Sequence, residues 1–73
     1  MTTEMKPLEW RAVAGDYLWF ADTPELSHLY MADRLNARVL DWETEEWSDV
    51  PGPYDGTIET AKQRCEEHRR KRA

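Results

Sequence analysis

Gly52-Pro53-Tyr54-Asp55-Gly56-Thr57-Ile58-Glu59-Thr60-Ala61-Lys62-Gln63-Arg64-Cys65-Glu66-Glu67-His68-Arg69-Arg70-Lys71-Arg72 reads as a turn that becomes a helix. Pro53 and Gly56 break whatever precedes them, Thr57 is placed to cap the free amides of the first turn, and Glu59 sits at the positive end of the helix dipole. Arg69, Arg70, Lys71 and Arg72 lie where cations favour the last carbonyls, so the spacing predicts a helix over Thr57 to Arg70. Ile58, Ala61, Cys65 and His68 recur at i, i+3, i+7 and i+10, a narrow apolar stripe that is stable only against another layer. That layer has to be a sheet.

Upstream, the period changes to two. Leu8, Trp10 and Ala12 alternate with Glu9 and Arg11 over Leu8 to Val13, and Ala14-Gly15-Asp16 is a tight turn signal. Tyr17 to Ala21 follows as a second strand with large apolar groups on both faces. The stretch from Thr23 to Asn36 admits two readings. Thr23, Pro24 and Glu25 form a sound helix start, whereas a strand from about His28 to Arg34 sets Tyr30 beside the two aromatic strands that need a third member. The strand is favoured. Arg38 to Glu43 alternates again, with Leu40 and Trp42 expected inward and Asp41 and Glu43 outward. Trp47 to Val50 returns as a short edge strand before Pro51-Gly52-Pro53 ends pairing. The expected fold class is α+β: a four- or five-stranded, mainly antiparallel sheet with one C-terminal helix packed on one face. Residues 1 to 7 read as a flexible N-terminal arm and residues 8 to 73 as a single domain.

At 73 residues the chain has room for one small core. A single cysteine excludes an intrachain disulfide, and the aromatic residues Trp10, Trp19, Trp42, Trp47, Tyr17, Tyr30, Tyr54 and Phe20 supply most of the apolar area. The N-terminal segment lacks the basic-then-apolar pattern of a signal peptide, and with one cysteine this points to a cytoplasmic setting. No segment has the length and apolarity of a membrane span. Because one helix covers one face only, the other face is expected to find a partner, in a homodimer or in a target.

Charge is unevenly placed. Residues 1 to 62 carry thirteen acidic and five basic side chains, whereas residues 63 to 73 carry two acidic and five basic. An acidic body is a poor nucleic-acid binder and a good match for a basic surface, so no direct nucleic-acid binding is expected. The acids concentrate at Asp41, Glu43, Glu45, Glu46 and Asp49, interleaved with Trp42 and Trp47. On a strand, alternate side chains fall ~6.6–6.8 Å apart, about two steps of the 3.4 Å rise of a DNA strand, so Asp41, Glu43 and Glu45 are expected to imitate a row of phosphates. The competing reading is a solvated edge whose charges prevent strand-to-strand aggregation. Cys65 and His68 have legitimate i, i+3 spacing for two metal ligands, but a third would have to come from His28, and Cys65 fits better as a small buried hydrophobe. No phosphate-binding glycine loop, serine elbow or metalloprotease helix is present, so neither a cofactor nor a catalytic residue is assigned.

Leu8 and Trp10, Gly15-Asp16-Tyr17, Tyr30 and Trp42, and above all Gly52 to His68 with Thr57, Ala61-Lys62 and Glu67-His68, give the chain a pattern that resembles small phage- and prophage-encoded sheet-plus-helix proteins. Some acidic members of that group are inhibitors of host defence, notably anti-CRISPR proteins. The resemblance implies a non-enzymatic inhibitor that binds a host protein or ribonucleoprotein complex with a basic groove and blocks its nucleic-acid binding. It assigns no residue; the partner-binding surface expected from charge is Asp41, Glu43, Glu45, Glu46, Trp47 and Asp49. The alternatives are a small nucleic-acid-binding module using the basic end of the helix, Arg64 with Arg69 to Arg72, and a metal-dependent enzyme at an oligomer interface.

Overall fold

The computed structural model describes residues 8–15, 17–23 and 26–72, with the side chain of Arg72 left aside; the expected arm of residues 1 to 7 lies outside the described residues. Five strands, β1 (Arg11–Ala14), β2 (Leu18–Asp22), β3 (His28–Asp33), β4 (Ala37–Asp41) and β5 (Glu46–Asp49), precede one helix, α1 (Ile58–Arg72). The strands form a single sheet in the order β1-β2-β3-β4-β5, and every neighbouring pair is antiparallel. This is the expected α+β architecture with five strands. The favoured strand at His28 is present, beginning at that residue and ending at Asp33.

Short polar side chains set the connections. Thr23 is buried after β2, and its hydroxyl oxygen accepts the amides of Ser27 at 3.1 Å and His28 at 3.2 Å, turning the chain into β3. Asp33 Oδ1 accepts the amides of Leu35 at 2.7 Å and Asn36 at 2.8 Å, and Asp41 Oδ1 accepts that of Glu43 at 2.8 Å. Both hairpins therefore begin with an aspartate that closes its own turn. Gly52 has a different reason to be glycine: a Cβ there would meet the Tyr54 ring at 2.9 Å, and Tyr54 donates its hydroxyl back to the Val50 carbonyl.

Register decides what lies on each face. Tyr30 stands between Ala21 of β2 and Val39 of β4, and Ala32 stands between Trp19 and Ala37. These residues face α1, which packs on β3 and β4. Ala61 and Cys65 are 0% exposed against them, with Ile58, Trp10 and Tyr54 closing the edges of the cluster. Alternation sends Leu18, Phe20, Leu29, Met31, Leu40 and Trp47 to the other side of the sheet, which α1 does not cover.

Two sequence readings change here. The first strand starts at Arg11 rather than Leu8; Leu8 is in the core, and its amide donates to Glu66 Oε2 at 2.8 Å, which binds it to the helix instead of the sheet. The fourth strand ends at Asp41 rather than Glu43, because Asp41 takes the Glu43 amide and starts the turn. The inward set on β4 is Ala37 and Val39, while Leu40 is buried on the opposite face and Trp42 is in the turn. The apolar residues of β4 occupy both faces, so alternation alone does not say which set the helix covers.

Candidate interaction hairpin and the cleft behind it

All six residues expected at the partner surface fall on one hairpin, Asp41 to Asp49, at the edge of the sheet. They do not form a row. Asp41 and Glu46 are directly opposed across β4 and β5 on the helix side; Glu43 and Glu45 lie in the turn between; Trp47 and Asp49 lie on the uncovered side. The phosphate-like spacing of Asp41, Glu43 and Glu45 is therefore absent, because only the first is in a strand. What replaces it is an edge hairpin with five carboxylates and no cation in nine residues, distributed over its turn and both faces, with Trp42 and Trp47 at 46% and 40% exposure. Glu45 has φ 59°, a left-handed conformation that glycine or asparagine adopts more readily.

Trp47 is held from its side of the sheet. The Arg38 guanidinium stands 5.9 Å from the indole centroid and 3.5 Å from Asp49 Oδ1, and Leu40 pairs with Trp47 across the strands. The charged groups here are solvated, so this pair orients the ring more than it stabilises the fold.

On the helix side, the hairpin borders a cleft of about 230 Å³ lined by His28, Val39, Asp41, Glu46, Ser48 and His68. Val39 is the buried floor. His28 is opposite Asp41 on β3, with its Nε2 3.7 Å from Asp41 Oδ2 and its Nδ1 2.8 Å from the Ser27 hydroxyl. His68 comes from α1, and its Nδ1 is 2.9 Å from the Tyr30 hydroxyl, with the two rings edge to face at 5.8 Å. The polar end of the helical stripe is thus fixed by a hydrogen bond inside an otherwise apolar layer.

The other sequence candidates are held elsewhere. Burial pushes the Cys65 thiol up to about 12, with Glu66 adding to the effect, so it is a protonated core side chain at neutral pH. Among the described residues no group of three or more His, Cys, Asp or Glu side chains is disposed to hold a metal ion. At the basic helix end, Arg64 donates to the Pro53 carbonyl at 2.9 Å and to both oxygens of Glu67, and Arg69 is buried 3.6 Å from Glu66. Arg70 and Lys71 remain exposed. Two of the cations that the basic-end alternative requires are therefore committed to the fold. The cleft itself was beyond sequence reasoning, which placed His68 on the helical stripe and His28 at the start of a strand and weighed both as metal candidates; it depends on the β3-β4-β5 register.

Comparison with protein-family models, with curated proteins and with solved structures finds no match for this chain. No described helix is long and apolar enough to cross a membrane.

Proposed function

We propose that this protein is a non-enzymatic interaction module that inserts its acidic Asp41–Asp49 hairpin into a basic groove of a nucleic-acid-handling complex and competes there with nucleic acid, in the manner of an anti-CRISPR inhibitor. One observation carries the reading: an edge hairpin with five carboxylates, no cation within it and two exposed tryptophans. Carboxylates steer the approach and set its salt dependence; Trp42 in the turn and Trp47 on β5 supply contact area. The left-handed Glu45 adds support, since a carboxylate stands at a backbone position that glycine occupies with less strain. Mimicry here is by charge, without a phosphate register.

The test titrates the protein into guide-loaded CRISPR effector complexes bound to labelled target DNA. Displacement of the DNA that weakens with added salt, and that disappears with Glu43→Lys combined with Glu45→Lys, is expected. A folded double variant that displaces DNA as well as the wild type eliminates the hairpin. If replacing Arg70 and Lys71 abolishes displacement instead, the basic helix end takes its place.

A further inference from the structure

We propose that the uncovered face of the sheet joins two copies of this chain in a symmetric dimer whose two-fold axis runs along the middle strand, β3. The strand registers line up one unbroken cross-strand row on that face: Arg11, Phe20, Met31, Arg38 and Asp49, with Met31 of β3 at its centre. Reversed, the row complements itself. Arg11 meets Asp49, Phe20 meets Arg38, and Met31 meets Met31. A two-fold axis parallel to β3 and lying between two stacked sheets performs this reversal, because it sets β1 of one copy over β5 of the other. Both ends of the row then carry opposite charges across the interface, and each Arg38 guanidinium meets a Phe20 ring. The other in-plane axis, across the strands, stacks β1 on β1 and sets Arg11 over Arg11 and Asp49 over Asp49. Charge therefore selects the first arrangement and rejects the second.

Composition points to a second copy and not to a basic target as the occupant. A face made for a basic groove would be acidic like the hairpin, whereas here each flank carries both signs. Arg11 is 3.4 Å from Asp22 on one side, and Arg38 is 3.5 Å from Asp49 on the other. Between the flanks Leu18, Phe20 and Met31 are half-buried, which gives an apolar centre inside a polar rim. The end groups of the row keep access to solvent, with the Arg11 and Asp49 side chains 69% and 86% exposed. Size sets the strength. Five strands at ~4.8 Å spacing and about five residues at ~3.4 Å give a planar footprint of roughly 400 Å² on each copy. Accessible surface follows the side-chain contours and exceeds this projection, which puts the interface near the ~1,000 Å² total at which specific association begins. The dimer is accordingly weak, with dissociation on the order of tens of micromolar. It does not depend on the hairpin reading. Trp47 lies at its rim, and the turn with Glu43 and Glu45 lies outside it, at the same end of the dimer in both copies.

The experiment is sedimentation equilibrium of the wild type, of Arg11→Asp, of Asp49→Arg and of an equimolar mixture of the two variants, each first shown to be folded by its thermal melt. The wild type is expected to pass from monomer to dimer as concentration rises. Each variant alone sets like charges against each other at both ends of the row, so its dissociation constant should rise roughly tenfold or more. In the mixture the new aspartate at position 11 of one copy faces the new arginine at position 49 of the other, and the native Arg11 and Asp49 meet at the opposite end. The mixture should therefore dimerise about as well as the wild type. A wild type that is monomeric up to millimolar concentration, single variants that associate as well as the wild type, or a mixture no tighter than its components overturns the proposal. A readout that needs no substitution comes from mixing isotope-labelled and unlabelled wild type: filtered NOEs should join the Met31 methyl groups of the two copies, and a dimer without them overturns the proposal as well.

Discussion

The two faces of the sheet bury apolar side chains in opposite ways. Beneath α1 the sheet contributes mostly small residues, Ala21, Ala32, Ala37 and Val39, and the helix answers with Ala61 and Cys65. Small groups on both layers let the helix backbone come close; of the two large side chains on this face, Tyr30 hydrogen-bonds His68 and Trp19 lies against the Lys62 ammonium. The uncovered face carries Leu18, Phe20, Leu29, Met31, Leu40 and Trp47. Leu29 and Leu40 are buried although none of the described elements packs over them; they pair with each other across β3 and β4, and Leu40 pairs with Trp47 across β4 and β5. One face is sealed by approach of a second layer, the other by the size of its own side chains. The sealed face should tolerate little, and the self-covered one more.

The largest expected effect breaks the sealed face. Ala61→Asp places a charge where nothing pairs with it and should cost about 3 kcal/mol or more, read as a loss of the urea midpoint. Phe20→Asp on the other face is half-buried and within reach of water, so about 1–2 kcal/mol is expected. Equal losses would erase the distinction between the faces. Sedimentation sharpens it: if the uncovered face joins two copies, the wild type should associate as concentration rises and Phe20→Asp should remain monomeric. A wild type that is monomeric throughout leaves that face to the target.

A smaller effect, about 1 kcal/mol, is expected at the helix start. The Thr57 hydroxyl accepts the Thr60 amide at 3.3 Å and donates to Asp55 Oδ1 at 2.7 Å, so Thr57→Ala removes the cap and the group that orders Asp55. The hydrogen bonds from Thr57 and Thr60 hold the Asp55 carboxyl below its usual value. A depressed folded-state value stabilises above the ordinary aspartate range, and that contribution is lost as pH falls through the folded value. Thr57→Ala should therefore melt lower than wild type at pH 7, with the gap narrowing below about pH 4. A gap that is constant with pH would separate the cap from Asp55.

The fold was legible because its strongest signals were local. Gly56-Thr57 before a 3.6-period stripe, Ala14-Gly15-Asp16 between two alternating runs, and Pro51-Gly52-Pro53 after the last of them each need only a few neighbouring residues. The cap at Thr57 and the inward set Ile58, Ala61 and Cys65 rest on such signals, whereas the strand at His28 followed from the need of two aromatic strands for a third. The site was legible only as composition. The acids from Asp41 to Asp49 are plain in the chain, but whether Asp41 lies beside Glu43 or opposite Glu46 is a question of where the turn begins. One hydrogen bond, from the Glu43 amide to Asp41, decides it. The partnership of His68 with Tyr30 joins residues distant in sequence and has no local signature. Lys62 is similar: its ammonium lies 3.7 Å from the Trp19 centroid and 5.9 Å from that of Trp10, a cation–π contact that joins α1 to β2 and to the segment before β1.

The smallest expected effect is on the tip of the hairpin, and its smallness is what makes the functional test readable. Glu43 and Glu45 are exposed, and no ion pair among the described residues involves either. Exposed carboxylates of this kind contribute little to folding, and changing both to Lys should move stability by less than about 0.5 kcal/mol. Asp41 is deliberately left in place. Its side chain accepts the Glu43 amide and its carbonyl accepts the Glu45 amide at 2.7 Å, so replacing it would disturb the turn as well as the charge. Glu45→Gly isolates the remaining variable: glycine suits φ 59° and should raise stability by up to about 1 kcal/mol while removing one carboxylate. If thermal melts find the lysine double variant near wild type and the glycine variant above it, loss of binding in either belongs to the missing charge. A double variant that melts far below wild type would instead make these two side chains part of the fold, and the contrast between a structural face and an exposed, replaceable tip would fail.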